Sequence, residues 1–148
     1  MQLRKENILI VDDDVNILEL LQRHLQSWDY HVFKAISVKE AVAILRDTRI
    51  DLLITDLTMP EVNGFELITF VSEHYPKLPK LVVTGYPSVQ GSLASIKSGV
   101  VDYLTKPFTK NELKSALDNH AQANVFFIFN IVETHLFGLN LTINLSSE

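Results

Sequence analysis

The chain has 148 residues, 47% hydrophobic and 21% charged, with a formal net charge of -5 and no cysteine. That length and balance suit one ordinary domain with its own core. Disulfides, thiolate metal sites and cysteine nucleophiles are excluded. The negative charge argues against a nucleic-acid surface, which needs basic patches to meet phosphate.

The polar start, Met1 to Glu6, runs straight into an apolar stretch with no secretory pattern, which points to the cytoplasm. A first strand is expected at Ile8-Leu9-Ile10-Val11. Ile17, Leu18, Leu21 and Leu25 then recur at helical spacing. A second strand is expected over His31 to Ala35, and a second helix carries Ala41, Ile44 and Leu45. Ser37 and Glu40 form a capping box at its start. Ile50 to Thr55 is the third strand, and Asn63-Gly64 and the Pro76 to Pro79 stretch punctuate the chain as turn or loop. Leu81 to Thr84 is the fourth strand, and Pro87 sits where a first helical turn would begin. Val100 to Thr105 is the fifth, followed by a second capping box, Thr109 with Glu112.

Several of these strands are apolar at consecutive positions, as strands buried on both faces are. Five of them alternating with helices imply an α/β domain with a doubly wound parallel sheet. The expected domain covers 1–120. Residues 121–148 form an apolar extension of different character: all 13 Lys and Arg lie at or before Lys114, yet four of the eight Phe lie after it. Asn130, Glu133 and His135 interrupt the apolar run, which counts against a membrane span. Three readings stand for it, in this order: an added hairpin or lengthened helix packing on the domain, an oligomerisation surface, or an aberrant end.

The chemistry lies where strands end. Asp12, Asp13 and Asp14 follow the first strand and Asp56 follows the third. In an open parallel sheet, ligands bind outside the carboxyl ends of the strands at a switch in strand order. With the order 2-1-3-4-5, strands one and three are neighbours and the carboxylates converge. Clustered carboxylates repel one another and would hold protons unless a hard cation joined them. Mg²⁺ accepts a few carboxylate oxygens with waters and a phosphate oxygen, and Mn²⁺ is the alternative ion. Asp14 is expected to cap the first helix while Asp12 and Asp13 face the site. The five histidines show no metal-ligand spacing.

Four segments, taken together, closely resemble response regulator receiver domains of two-component systems. They are Ile8-Leu9-Ile10-Val11-Asp12-Asp13-Asp14, Ile54-Thr55-Asp56-Leu57-Thr58-Met59-Pro60 with Asn63-Gly64, Val82-Val83-Thr84-Gly85, and Asp102-Tyr103-Leu104-Thr105-Lys106-Pro107-Phe108. The resemblance covers about residues 7 to 118, and its wording is most like CheY-like receivers of NtrC-type regulators, which precede transcription-activating ATPase domains. That family is itself an example of the flavodoxin-like 2-1-3-4-5 order, so the order comes with the resemblance.

By that resemblance Asp56 is the phosphoacceptor, taking a phosphoryl group from a sensor histidine kinase. Asp12, Asp13, Asp56 and the backbone carbonyl of Thr58 hold Mg²⁺. Lys106 pairs with the phosphoryl oxygens or, before phosphorylation, with Asp56; Thr84 also binds the phosphoryl oxygens, and the Lys106-Pro107 bond is cis. Thr84 and Tyr103 form the switch, acting on the face of the fourth helix, fifth strand and fifth helix. A homodimer would form through that face or through the extension. The competing reading is a haloacid-dehalogenase-type phosphatase, whose general acid is an Asp two residues after the nucleophile. Thr58 stands there instead, and an alcohol is a poor acid-base catalyst.

Overall fold

The computed structural model describes residues 4–57, 64–85 and 100–120. The elements are β1 (Asn7–Val11), α1 (Val15–Ser27), β2 (His31–Ala35), α2 (Val38–Asp47), β3 (Leu52–Thr55), α3 (Gly64–His74), β4 (Lys80–Thr84) and β5 (Val100–Thr105), followed by a helix over 110–120. The five strands form one sheet in the order β2-β1-β3-β4-β5, every pairing parallel. Pro87, Thr58 and residues 121–148 lie outside the described residues. So does the expected fourth helix.

All five expected strands are present. β3 is shorter than expected and starts at Leu52; Asp51 before it accepts the Asn7 N–H at 2.7 Å through Oδ2 and donates its own N–H to Asn7 O at 2.8 Å. Asn63-Gly64 was expected as turn or loop, yet Gly64 is buried and is the first residue of α3.

Two helix ends show why the chain turns where it does. Asp14 caps α1, its Oδ1 accepting the Asn16 N–H at 2.9 Å, as expected. At the other end Asp29 takes φ 71, and Asp29 and Tyr30 donate back to Gln26 O and Leu25 O. This is a Schellman closure with aspartate in the position glycine usually fills. The Ser37 box is modified. Ser37 Oγ accepts the Glu40 N–H at 3.2 Å, but Glu40 returns to the N–H of Ile36, one residue earlier than the standard pattern.

Because side chains alternate across a sheet, residues two apart on a strand share a face. Leu9, Val11, Ala35 and Leu53 pack with Ala41, Leu45, Leu67 and Val71 from α2 and α3. A smaller cluster on the same face, Leu57 with Ile68 and Val82, has Phe65 and Tyr103 packed against it, since Val82 is in register with Thr55, two residues from Leu53. Ile8, Ile10, Ile54 and Val83 alternate with these and are buried on the opposite face.

The register aligns the carboxyl ends: Val11 pairs with Ala35 and Thr55, Thr55 with Val82, and Thr84 with Thr105. Residues that follow the strands therefore stand along one edge.

Lys80, the first residue of β4, has 0% of its surface exposed, and burial pulls its ammonium below the ordinary lysine range. A charge taken out of water costs stability that a similar apolar side chain does not. The unfolded state keeps the ordinary lysine pKa of 10.5 and binds the proton more tightly, so the cost is full below the depressed folded value. It fades as pH rises from the depressed folded value towards 10.5. We expect the parent's urea-unfolding stability relative to Lys80→Met to rise as pH increases towards 10.5, and a difference that stays flat with pH would refute the account.

Candidate functional site

The hydrogen-bond ladder runs one residue past each functional strand. Asp12 N–H donates to Ala35 O at 3.1 Å, Asp56 N–H to Val11 O at 3.1 Å and Lys106 N–H to Thr84 O at 2.8 Å. The sheet thus fixes the backbone of each group before any side-chain contact forms.

Their side chains meet. Carboxylate oxygens of Asp12, Asp13 and Asp56 all lie within 4.8 Å of one another. Asp12 and Asp56 are buried and Asp13 is exposed, so the cluster opens to solvent on one side. Lys106 leaves the end of β5, a full strand removed from β3, roughly 10 Å across the sheet. Its long stem covers that distance, and its Nζ donates to Asp12 Oδ2 at 2.6 Å and to Asp56 Oδ2 at 3.0 Å. The Lys106-Pro107 peptide bond is cis, as the resemblance implied. The contact with Asp12 goes beyond the expected pairing with Asp56.

The remaining carboxylate oxygens are also engaged. Asp12 Oδ1 accepts the Asp14 N–H at 2.9 Å, and Asp56 Oδ1 accepts the Leu57 N–H at 2.7 Å. Burial pushes the Asp12 carboxyl above the usual range, and Asp13 adds to this. Lys106 and the Asp14 N–H pull the other way without overcoming it. For Lys106, burial alone would lower the pKa, but hydrogen bonds to Asp12 and Asp56 outweigh it and raise the ammonium above its ordinary value.

Such a site fits a hard divalent cation. Two carboxylates share one ammonium, a third stands at the mouth, and all the donor atoms are oxygen. A cation there would replace the like-charge repulsion with coordination.

Thr84 is 1% exposed at the end of β4, and its carbonyl holds the Lys106 N–H. Tyr103 is half-buried against the Leu57 cluster. The expected role of Thr58 falls outside the described residues. Two groups within the family segments were given no role at the site by the sequence. Thr55 is fully buried beside Asp56, with its hydroxyl donating to Asp56 O at 2.9 Å. Gly64 donates its N–H to Leu57 O at 2.8 Å.

A cleft of about 370 Å³ lies at the opposite edge of the sheet, lined by Arg49 to Asp51 and Tyr75 to Pro79. Its one carboxylate, Asp51, already accepts from Arg4 and Asn7. The carboxylate cluster, where titratable groups converge, is the better candidate for chemistry. Among the described residues, no helix is long and apolar enough to cross a membrane.

Comparison with known proteins agrees with this geometry. The family model for the response regulator receiver domain matches residues 8–118. The transcriptional regulatory protein GlrR of Escherichia coli is 34% identical over 119 residues, covering 80% of this chain and 27% of that protein. ZraR of Salmonella typhimurium is 35% identical over 114 residues, 77% of this chain and 26% of that protein. This chain therefore spans about a quarter of the length of these relatives. Among solved structures, the response regulator TrrA of Thermotoga maritima, in complex with Mg²⁺ and BeF, superposes with a TM-score of 0.70 at 30% identity. The match covers 76% of this chain and 96% of that one. A CheY-like receiver domain protein from Methanospirillum hungatei gives 0.70 at 28% identity, covering 80% and 99%. With five parallel strands in the 2-1-3-4-5 order and an acidic pocket at their carboxyl edge, the chain belongs to the response regulator receiver domain family of two-component systems.

Proposed function

We propose that Asp56 is the phosphoacceptor of a cytoplasmic signalling switch that receives its phosphoryl group from a sensor histidine kinase in a Mg²⁺-dependent reaction. The observation that carries this reading is Lys106 Nζ lying between Asp12 and Asp56, with Asp13 beside them. In the transfer, an Asp56 carboxylate oxygen attacks phosphorus and a new O–P bond forms. The P–N bond of the donor phosphohistidine breaks, and its electron pair and a proton end on the departing imidazole. Bound Mg²⁺, held by Asp12, Asp13 and Asp56 with the Thr58 carbonyl, supplies charge neutralisation for the phosphoryl oxygens.

The chain's own groups do the rest. Lys106 is held charged by its two carboxylates. It can follow the phosphoryl oxygens when Asp56 becomes an acyl phosphate. Thr84, buried at the next strand end, offers a hydroxyl for the same oxygens. Tyr103, packed on the residue after Asp56, is suited to follow a change in that packing. The output is then a population shift at the face of β5 and its flanking helices, which controls a partner or an output domain. The chain turns over no external substrate in this reading and catalyses only its own phosphorylation and dephosphorylation.

Incubation with acetyl phosphate and Mg²⁺ should add a single phosphoryl group by intact mass, and Asp56→Ala should add none. Steady hydrolysis of unrelated phosphomonoesters would instead support a phosphatase. In a separate measurement, Mg²⁺ at ten times its Kd should stabilise the fold by about 1.4 kcal/mol. Asp13→Asn, at an exposed position, should keep the parent stability without metal and lose most of that gain. An undiminished gain in the variant would remove Asp13 from the ligand set.

A further inference from the structure

The direction in which the Asp56 carboxylate points depends on one peptide plane, the one joining Asp56 to Leu57. The Leu57 N–H of that plane holds Oδ1 at 2.7 Å, which leaves Oδ2 for Lys106 at 3.0 Å. A rotation of the plane by a few tens of degrees would swing the N–H away from Oδ1 and release the carboxylate.

Two residues outside the cluster touch this plane. Thr55 Oγ1 donates to the Asp56 carbonyl at 2.9 Å, and Thr55 is 0% exposed. The first residue of α3 lies against the same plane. A Cβ placed on Gly64 would meet Leu57 Cα at 2.6 Å and the Asp56 carbonyl carbon at 3.0 Å, with the Asp56 carbonyl oxygen nearer still. These are backbone atoms, so no side chain can swing aside to make room. The Gly64 N–H also donates to Leu57 O at 2.8 Å, which ties the helix to the same segment.

We propose that Thr55 and Gly64 are positioning residues for the phosphoacceptor: together they set the Asp56–Leu57 peptide plane and so aim the Asp56 carboxylate. The inference rests on the reading of Asp56 as phosphoacceptor only for its kinetic consequence; the clamp itself is a property of the folded chain. A Thr55 that merely satisfied its own hydroxyl, and a Gly64 that merely let a helix pack, would affect stability without affecting the carboxylate.

Four variants separate these roles. Thr55→Val removes the hydroxyl at constant shape, and Thr55→Ser restores it. Gly64→Ala adds the obstructing methyl. Leu67→Ala opens a cavity one turn further along α3, in the core cluster rather than at the site, and serves as the destabilised control. Each is assayed under conditions where urea unfolding shows it folded. With acetyl phosphate and Mg²⁺, Thr55→Val and Gly64→Ala should lower the maximal phosphorylation rate about tenfold or more without changing the donor concentration at half-maximal rate. Thr55→Ser and Leu67→Ala should stay near the parent rate. In nitrogen-15 spectra without metal or phosphodonor, the Leu57 amide should lose its hydrogen-bonded shift in Thr55→Val and Gly64→Ala, and keep it in the other two.

Parent-like rates in Thr55→Val, or a Thr55→Ser variant as slow as Thr55→Val, would overturn the proposal. If Gly64→Ala does not fold, the Thr55 pair still decides it. If the parent itself takes no phosphoryl group, the phosphoacceptor reading fails. The Leu57 amide then judges the clamp alone: movement supports it and its absence overturns it.

Discussion

Like-charge repulsion between carboxylates is the constraint on which the site depends. Asp12 and Asp56 are both buried, and their oxygens approach within 4.8 Å. At an effective dielectric of about 20, such a pair costs roughly 3 kcal/mol. A single ammonium, Lys106, stands against both and offsets part of that repulsion. It does not balance three negative groups, and burial, with a smaller contribution from Asp13, holds the Asp12 carboxyl above its usual range. A site in that condition favours a further positive charge, and the exposed side, where Asp13 stands, is where one can enter. The same chemistry that makes the cluster costly to fold makes it receptive to a cation and then to a phosphoryl group.

The sheet is what imposes this proximity. Parallel strands send all their carboxyl ends to one edge, and the order places β1 beside β3 with β5 two positions away. Asp12 and Asp56 are neighbours because their strands are. Lys106 is not a neighbour, so the side chain there must be long, and its backbone must be held while the stem extends. The Lys106 N–H donated to Thr84 O provides that hold. Thr84 thereby has two connections to the site: its carbonyl anchors the lysine backbone, and its side chain belongs to the same strand end.

Much of this was legible in the sequence, for identifiable reasons. Strands buried on both faces read as unbroken apolar runs, so β1, β3 and β4 declared themselves. Asp14 was legible as a cap because cap chemistry is local. What was hidden depends on contacts between distant segments. Asn-Gly is a strong turn signal in isolation, but Gly64 opens a helix because only an absent Cβ allows that helix to sit on the Asp56–Leu57 backbone. Lys80 is chemically indistinguishable from a surface lysine until the sheet closes over it. The Lys106–Asp12 contact joins residues 94 apart in the chain, and no periodicity can encode it. Thr55 looked like one more strand residue, since its importance lies in which carbonyl its hydroxyl finds.

The small cluster around Leu57 gives the site a mechanical outlet. Leu57 shares a peptide plane with Asp56, and its side chain packs with Ile68 and Val82, against which Phe65 and Tyr103 rest. A displacement of that plane therefore cannot remain local, because densely packed side chains have few intermediate arrangements. It must be absorbed either by α3, through Ile68 and Phe65, or by β5, through Tyr103. α3 is tethered by the Gly64 N–H to Leu57 O and has a close backbone approach at its first residue. Tyr103 is an aromatic ring only half-buried, on a strand whose other partner positions are set by β4. We propose that Tyr103 carries an event at Asp56 to the β5 surface, because α3, the other route, is tied to the Asp56–Leu57 backbone at Gly64. A signalling domain needs such an asymmetry: one side of the acceptor held firmly enough to keep the chemistry aligned, the other free enough to report that it has occurred.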